Sequence, residues 1–209
     1  MGEREFRAVL RPGDARADAE CERACGDCTL CCTVLRVDEL GKPGGTPCAK
    51  LRLDGGGCAI HERRPGICRR YRCLWLQGAF DEEDRPDRLG AVLDLLTRAG
   101  TTHLAIREAA PGAIDRSDRL RDIAGRYRSF MPVRVTDASD VMNPDAPLRL
   151  LLPGGEERRV EGDTVSVWRD GRLVETRRLP WVQRLARRVL ERVERARLRR
   201  AARRARPSG

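Results

Sequence analysis

The chain has 209 residues, 42 of them basic and 32 acidic, for a formal net charge of +10. An apolar share of 40% beside 35% charged residues argues against global disorder. No apolar run approaches the roughly 18 residues of a membrane-spanning helix.

The charge is local. From Trp181 to Arg206 there are 11 arginines against Glu191 and Glu194, leaving 31 basic and 30 acidic residues for the remainder. The nine cysteines are also uneven, falling at 21, 25, 28, 31, 32, 48, 58, 68 and 73. The first residues lack the apolar stretch of a secretory signal, which predicts a reducing, cytoplasmic location. Dense cysteines in that setting point to metal ligation, and their odd number fits poorly with a disulfide scaffold.

In chain order, residues 1–20 read as a lead-in, with a short strand or helix expected around Phe6–Leu10. Residues 21–80 form a cysteine-rich, metal-binding region, broken by turn-forming Gly-Lys-Pro-Gly-Gly and Asp-Gly-Gly-Gly stretches. Residues 81–179 read as a small mixed α/β body. Pro86 suits an early helix position, and Leu89, Val92, Leu93 and Leu96 recur at helical spacing up to Gly100.

His103–Glu108 is predicted as a strand, Pro111-Gly112 as a turn. Asp115 or Ser117 caps a second helix carrying Leu120, Ile123, Ala124 and Tyr127. Apolar runs follow at Val133–Val135 and Leu148–Leu152, and Asp170-Gly171 joins the arms of a hairpin. Residues 180–209 read as a basic amphipathic helix whose apolar stripe weakens after Ala196, so that its end frays. The predicted class is α+β, with a metal-held N-terminal region and a C-terminal amphipathic helix.

Chemistry is concentrated in the cysteines. Cys25, Cys28, Cys31 and Cys32 form C-x2-C-x2-C-C, whose two-residue spacers let thiolates converge on one metal. Cys48, Cys58 and Cys68 can close the site from a folded loop, while Cys21 and Cys73 are further candidate ligands. A bacterial ferredoxin run would need a cysteine where Leu35 stands. Cys21, Cys25 and Cys28 have the spacing of a radical S-adenosylmethionine cluster, but the remainder lacks the barrel that such enzymes use. His61 is a further candidate ligand, with a packed or surface histidine as the alternative. Five arginines between Cys58 and Cys73 could offset a negative thiolate–metal unit or simply face solvent.

The region from about residue 21 to 90 resembles the zinc- or iron-chelating cysteine-cluster family, marked by C-x-x-C-x-x-C-C. A second family signature, G-x-C-x-I-Y-E-x-R-P-x-x-C-R, is matched by Gly56, Cys58, Ile60, Glu62, Arg64, Pro65, Cys68 and Arg69, with His61 in place of Tyr. Cys48 resembles the family's additional cysteine. Arg70-Tyr71-Arg72-Cys73 replaces its usual Phe-Pro, leaving Cys21 and Cys73 as extras. The resemblance implies a protein that holds zinc, iron or an iron–sulfur cluster through these cysteines. Iron or a cluster is preferred slightly over zinc.

The alternatives are an iron–sulfur-dependent redox or group-transfer enzyme and a zinc-stabilised nucleic-acid-associated module. The basic C-terminal helix suggests weak polyanion or protein contact. No G-x-G-x-x-G, Walker loop, nucleophile elbow or H-E-x-x-H is present, and His103 reads as structural.

Overall fold

The computed structural model describes residues 23–52, 54–98, 100–138 and 146–204. Two short helices, α1 (Leu30–Val34) and α2 (Gly66–Arg70), lie in the cysteine-rich part. Then follow α3 (Pro86–Leu89), β1 (Ala91–Arg98), β2 (Thr101–Glu108), α4 (Ala113–Arg116) and α5 (Asp118–Arg128). Strands β3 (Val133–Asp137), β4 (Leu148–Leu151), β5 (Glu156–Glu161), β6 (Thr164–Arg169) and β7 (Arg172–Arg178) precede α6 (Trp181–Arg204). The fold is α+β. The expected element around Phe6–Leu10 lies outside the described residues.

The seven strands form one sheet in chain order. All neighbours are antiparallel except β2 and β3, which are parallel with Ile106 opposite Val135. A parallel pair needs a crossover, and α4 with α5 supplies it. Helix α5 starts where the Ser117 hydroxyl accepts the Leu120 amide at 3.2 Å. Its Leu120, Ile123, Ala124 and Tyr127 are buried with Leu93, Leu104, Ile106, Val133 and Val135. The same core takes in Leu74, Trp75, Leu76 and Phe80, which anchors the end of the cysteine-rich segment to the sheet.

The helix expected through Leu89–Leu96 is instead the end of α3 and the strand β1. Gly90, at φ 73°, ends α3 in a left-handed conformation. The neighbours Val92 and Leu93 are both buried, so this strand is covered on both faces. Two-sided burial removes the alternation that marks a half-buried strand, and the remaining spacing imitates a helix. The Leu74 amide also donates to the Leu93 carbonyl at 3.0 Å, covering part of the sheet's edge.

Strand β5 was not anticipated because Glu-Glu-Arg-Arg-Val-Glu shows no apolar face. Charged cross-strand pairing organises it instead. Glu157 accepts from Arg149 at 2.9 Å and from Arg159 at 2.6 Å, and Arg159 stacks over Trp168 at 4.5 Å. The hairpin at Asp170-Gly171 is as expected, with φ 47° and 76° as a two-residue primed turn requires.

Asp84 is a buried acid that ties the acidic turn to α5. Its carboxylate accepts from Arg119 Nε at 2.7 Å and from the Asp81 amide at 3.1 Å. Burial raises its pKa, but the Arg119 guanidinium outweighs this and holds it below the ordinary value. That stabilisation is complete above the unfolded pKa of about 4 and is lost as pH falls through the lowered folded value. We expect Asp84→Asn to cost about 2 kcal/mol at neutral pH, read from urea midpoints. The loss should shrink at acid pH, where the wild type has also lost the pair.

The expected fraying of the C-terminal helix does not occur within the described residues. Leu198 is buried, and Ala202 lies so close to Gly41 that a Cβ on Gly41 would meet Ala202 Cβ at 2.2 Å. Arg36 pairs with Glu194 at 2.6 Å, Arg184 with Asp163 at 3.3 Å, and Arg187 donates to the Gly162 carbonyl at 2.9 Å. The expectation of polyanion or protein contact through this basic helix is therefore corrected. Several of its charged side chains engage the chain itself, and its exposed residues include the apolar Trp181, Val182, Leu185, Val189, Leu190 and Val193. No helix among the described residues is long and apolar enough to cross a membrane.

Gly41→Ala should undock the end of α6, because the added carbon meets backbone as well as side chain at φ 62°. Faster amide exchange over residues 196–204 would register this release; unchanged protection would show that the contact is dispensable.

Candidate functional site

The cysteine-rich segment folds through tight local hydrogen bonds. The Cys28 amide donates to the Cys25 carbonyl at 3.0 Å, with Gly26 at φ 56° inside the turn. Cys31 and Cys32 follow on α1. The Cys48 amide donates to the Cys32 carbonyl at 3.1 Å and brings the next loop against this helix. Cys58 pairs across from Leu51 in a small turn supported by Arg52 N to Gly57 O at 2.9 Å. Glu39 accepts the Gly66 and Ile67 amides, both at 3.0 Å, and so fixes the start of α2, which carries Cys68.

Eight free thiols, Cys25, Cys28, Cys31, Cys32, Cys48, Cys58, Cys68 and Cys73, share the wall of one cavity of about 310 Å³. Val34, Leu35, Leu40, Ile60 and Ile67 supply apolar wall between them. Val92 and Asp94 of β1 and Arg107 of β2 complete it from the sheet, on the face opposite Leu93 and Ile106.

Charge distinguishes the thiols. Cys31 and Cys32 are adjacent on α1 and act on each other as one coupled pair. Sharing of a thiol hydrogen, then burial, raises Cys31, while the same sharing lowers Cys32 against the effect of burial. Lys42 and Arg64 also favour the Cys32 thiolate. Cys28 is raised by burial and by the Asp87 carboxylate, and Cys68 by burial and then by Cys32 and Cys48. Burial likewise raises Cys73, Asp94 and Tyr71.

Lys42 is buried. Its ammonium donates to the Thr33 and Pro43 carbonyls at 3.0 and 2.9 Å, and also to the Leu35 carbonyl. Burial lowers its pKa, opposed by Cys48, Cys32, Cys31 and Cys68. A cation held at the C-terminal end of α1 is favoured by the helix carbonyls as well.

The metal expectation is corrected here. Among the described residues no set of three or more His, Cys, Asp or Glu side chains is arranged to hold a metal ion. Cys25, Cys28, Cys31, Cys32, Cys48, Cys58, Cys68 and Cys73 are spread around the cavity wall, which is a looser arrangement than a coordination shell. Sequence spacing permits convergence, but the folded loops distribute the sulfurs along the cavity. Cys21 lies outside the described residues. His61 is exposed at the cavity's margin, on a short 3-10 turn.

This geometry does not provide the site expected for zinc, iron or an iron–sulfur cluster, so those expectations are corrected. So are the iron–sulfur-dependent enzyme and the zinc-stabilised nucleic-acid module built on them. Of the five arginines between Cys58 and Cys73, Arg64 acts on Cys32 and Cys68, Arg63, Arg69 and Arg70 are exposed, and Arg72 donates to the Leu76 carbonyl at 3.0 Å.

Residues not singled out from sequence are Lys42, Trp75, Asp94 and Arg107. Lys42 was detectable only as one of two lysines in a chain of arginines. The resemblance to the zinc- or iron-chelating cysteine-cluster family is also set aside, since the ligand set it implies is not assembled. No family model, no curated protein and no solved structure matches this chain.

Proposed function

We propose that the cavity is a thiol–disulfide exchange site in which Cys32 is the attacking thiolate. The observation that supports this most strongly is the adjacent Cys31–Cys32 pair on a cavity wall, with the buried Lys42 ammonium held by the Thr33 and Leu35 carbonyls at the end of the same helix. A thiol poised near neutral pH combines a large thiolate fraction with good intrinsic nucleophilicity. Cys31 remains protonated and acts as the donor. Cys25, Cys28, Cys48, Cys58 and Cys73 complete the thiol wall, with Cys68 as the resolving group. A reducing, cytoplasmic setting would keep these thiols free.

In the first step Cys32 sulfur attacks one sulfur of a small disulfide. The new S–S bond forms as the substrate's breaks, and the departing thiolate takes a proton from water. In the second, Cys68 loses a proton to water and attacks the Cys32 sulfur, releasing the second substrate thiolate, which is protonated in turn. The substrate disulfide is reduced by two electrons and the Cys32–Cys68 pair is oxidised by two. Cys68 is assigned this role because it lines the same cavity as Cys32, on α2, and is raised by burial and then by the Cys32 charge.

The test mixes the reduced full-length chain with hydroxyethyl disulfide and follows products by intact mass and peptide mapping. A transient adduct on Cys32, followed by a Cys32–Cys68 disulfide and two released thiols, is expected. Adducts distributed evenly over the eight cysteines would overturn the assignment.

A further inference from the structure

The sheet side of the cavity carries polar groups that thiol exchange alone does not use. Trp75 is 5% exposed, yet its indole Nε1 has no hydrogen-bond acceptor among the described residues, and neither has the buried Arg107 Nε. The buried Tyr71 hydroxyl faces Asp94 and favours that carboxylate's charged form, so the donors left for a ligand are those of Trp75 and Arg107. All four residues line the same cavity. A buried donor left without an acceptor costs about 1–3 kcal/mol, so native interiors rarely retain several together.

We propose that Arg107 and Trp75 form a subsite for the carboxylate end of a small disulfide whose sulfur is attacked by Cys32. This inference rests on the exchange reading and names its substrate class. A carboxylate offers two coplanar acceptor oxygens, which suit a guanidinium edge together with a single indole N–H donor. The wall's charges agree: with Arg36 already paired to Glu194, Lys50, Arg64 and Arg107 stand against Asp94 and Asp137. Burial raises the Asp94 pKa and thereby lessens its repulsion of an anion. A volume of about 310 Å³ suits a compact ligand, at the lower end of ordinary small-molecule sites.

Three disulfides of similar size provide the test: anionic dithiodipropionate, neutral hydroxyethyl disulfide and cationic cystamine. Second-order rates of adduct formation at Cys32 should favour dithiodipropionate over the neutral probe by about tenfold, one to two such bonds' worth. The preference should persist at high salt, which would abolish a diffuse charge effect. Arg107→Gln should bring the ratio near one. Arg107→Lys, which keeps the charge and loses the fork, should reduce it and serves if the first variant misfolds.

Calorimetry on Cys32→Ser should still detect dithiodipropionate binding, and Cys32→Ser/Arg107→Gln should not. Equal rates for all three probes, or a preference that Arg107 variants leave intact, would overturn the subsite while exchange stands. No reaction at Cys32 with any probe would overturn exchange, and calorimetry then decides the subsite alone: failure of dithiodipropionate to bind Cys32→Ser overturns it.

Discussion

Changing Cys32 to serine should abolish the adduct that forms at this residue and lower the total rate of disulfide exchange at pH 7. Cys31, Lys42 and Arg64 hold Cys32 below the ordinary thiol range, so a larger share of it is thiolate at pH 7 than of an unperturbed thiol. Cys28, Cys31, Cys68 and Cys73 are all raised and contribute less still. Cys31→Ala should act differently. It leaves the nucleophile in place but removes the shared thiol hydrogen, so the rate at pH 7 falls while the rate at alkaline pH recovers. A stopped-flow pH profile separates the two: Cys32→Ser loses amplitude, and Cys31→Ala shifts the midpoint upward. Identical profiles for both variants would dissociate the pair.

Lys42→Met should have the second-largest effect, on both reactivity and stability. The ammonium favours the Cys32 thiolate, so its loss should raise the midpoint of Cys32 and lower its reactivity at pH 7. It also leaves the Thr33, Leu35 and Pro43 carbonyls without this donor. Charged hydrogen bonds of this kind suggest a stability loss of about 2–4 kcal/mol, partly offset by water reaching the carbonyls. Lys42→Arg should retain charge but fit poorly in a space shaped for a compact ammonium. Urea unfolding and alkylation kinetics measured on the same preparations distinguish folding from reactivity. A Lys42→Met protein with wild-type stability and an unshifted Cys32 would remove the lysine from the site.

The elements legible in the sequence are those whose signal is local. Ser117 caps α5, Asp170-Gly171 sets its hairpin, and the four-residue spacing from Trp181 marks α6. The failures came where tertiary surroundings decide. Val92 and Leu93 are covered from opposite sides of the sheet, and β5 is held through its Glu157 and Arg159 by Arg149 of β4 and Trp168 of β6.

Eight of the nine cysteines line one cavity. Spacing alone does not give the separation between loops, and the implied coordination shell is absent among the described residues. Asp94 and Arg107 belong to strands that reach the cavity only after the sheet forms, and nothing adjacent in sequence associates them with the thiols.

The fold explains why the pair can be poised. Cys31 and Cys32 sit on a helix whose C-terminal carbonyls require a cation, and Lys42 returns from the following turn to provide it. The next loop is anchored to Cys32 through Cys48, and α2 is anchored through Glu39. Trp75 then joins the thiol wall to the main core. Reactivity at Cys32 is thus coupled to packing over much of the N-terminal half.

The most direct measurement is pH-resolved alkylation of the reduced full-length chain, with each cysteine quantified by isotope-coded mass spectrometry and zinc and iron measured on the same sample. Cys32 should label first and titrate below the ordinary thiol range, ahead of Cys28, Cys31, Cys68 and Cys73. Its labelling should not depend on a chelator. Uniform titration of all the thiols near their ordinary range would contradict the proposed nucleophile, as would stoichiometric metal that protects Cys32 until it is stripped.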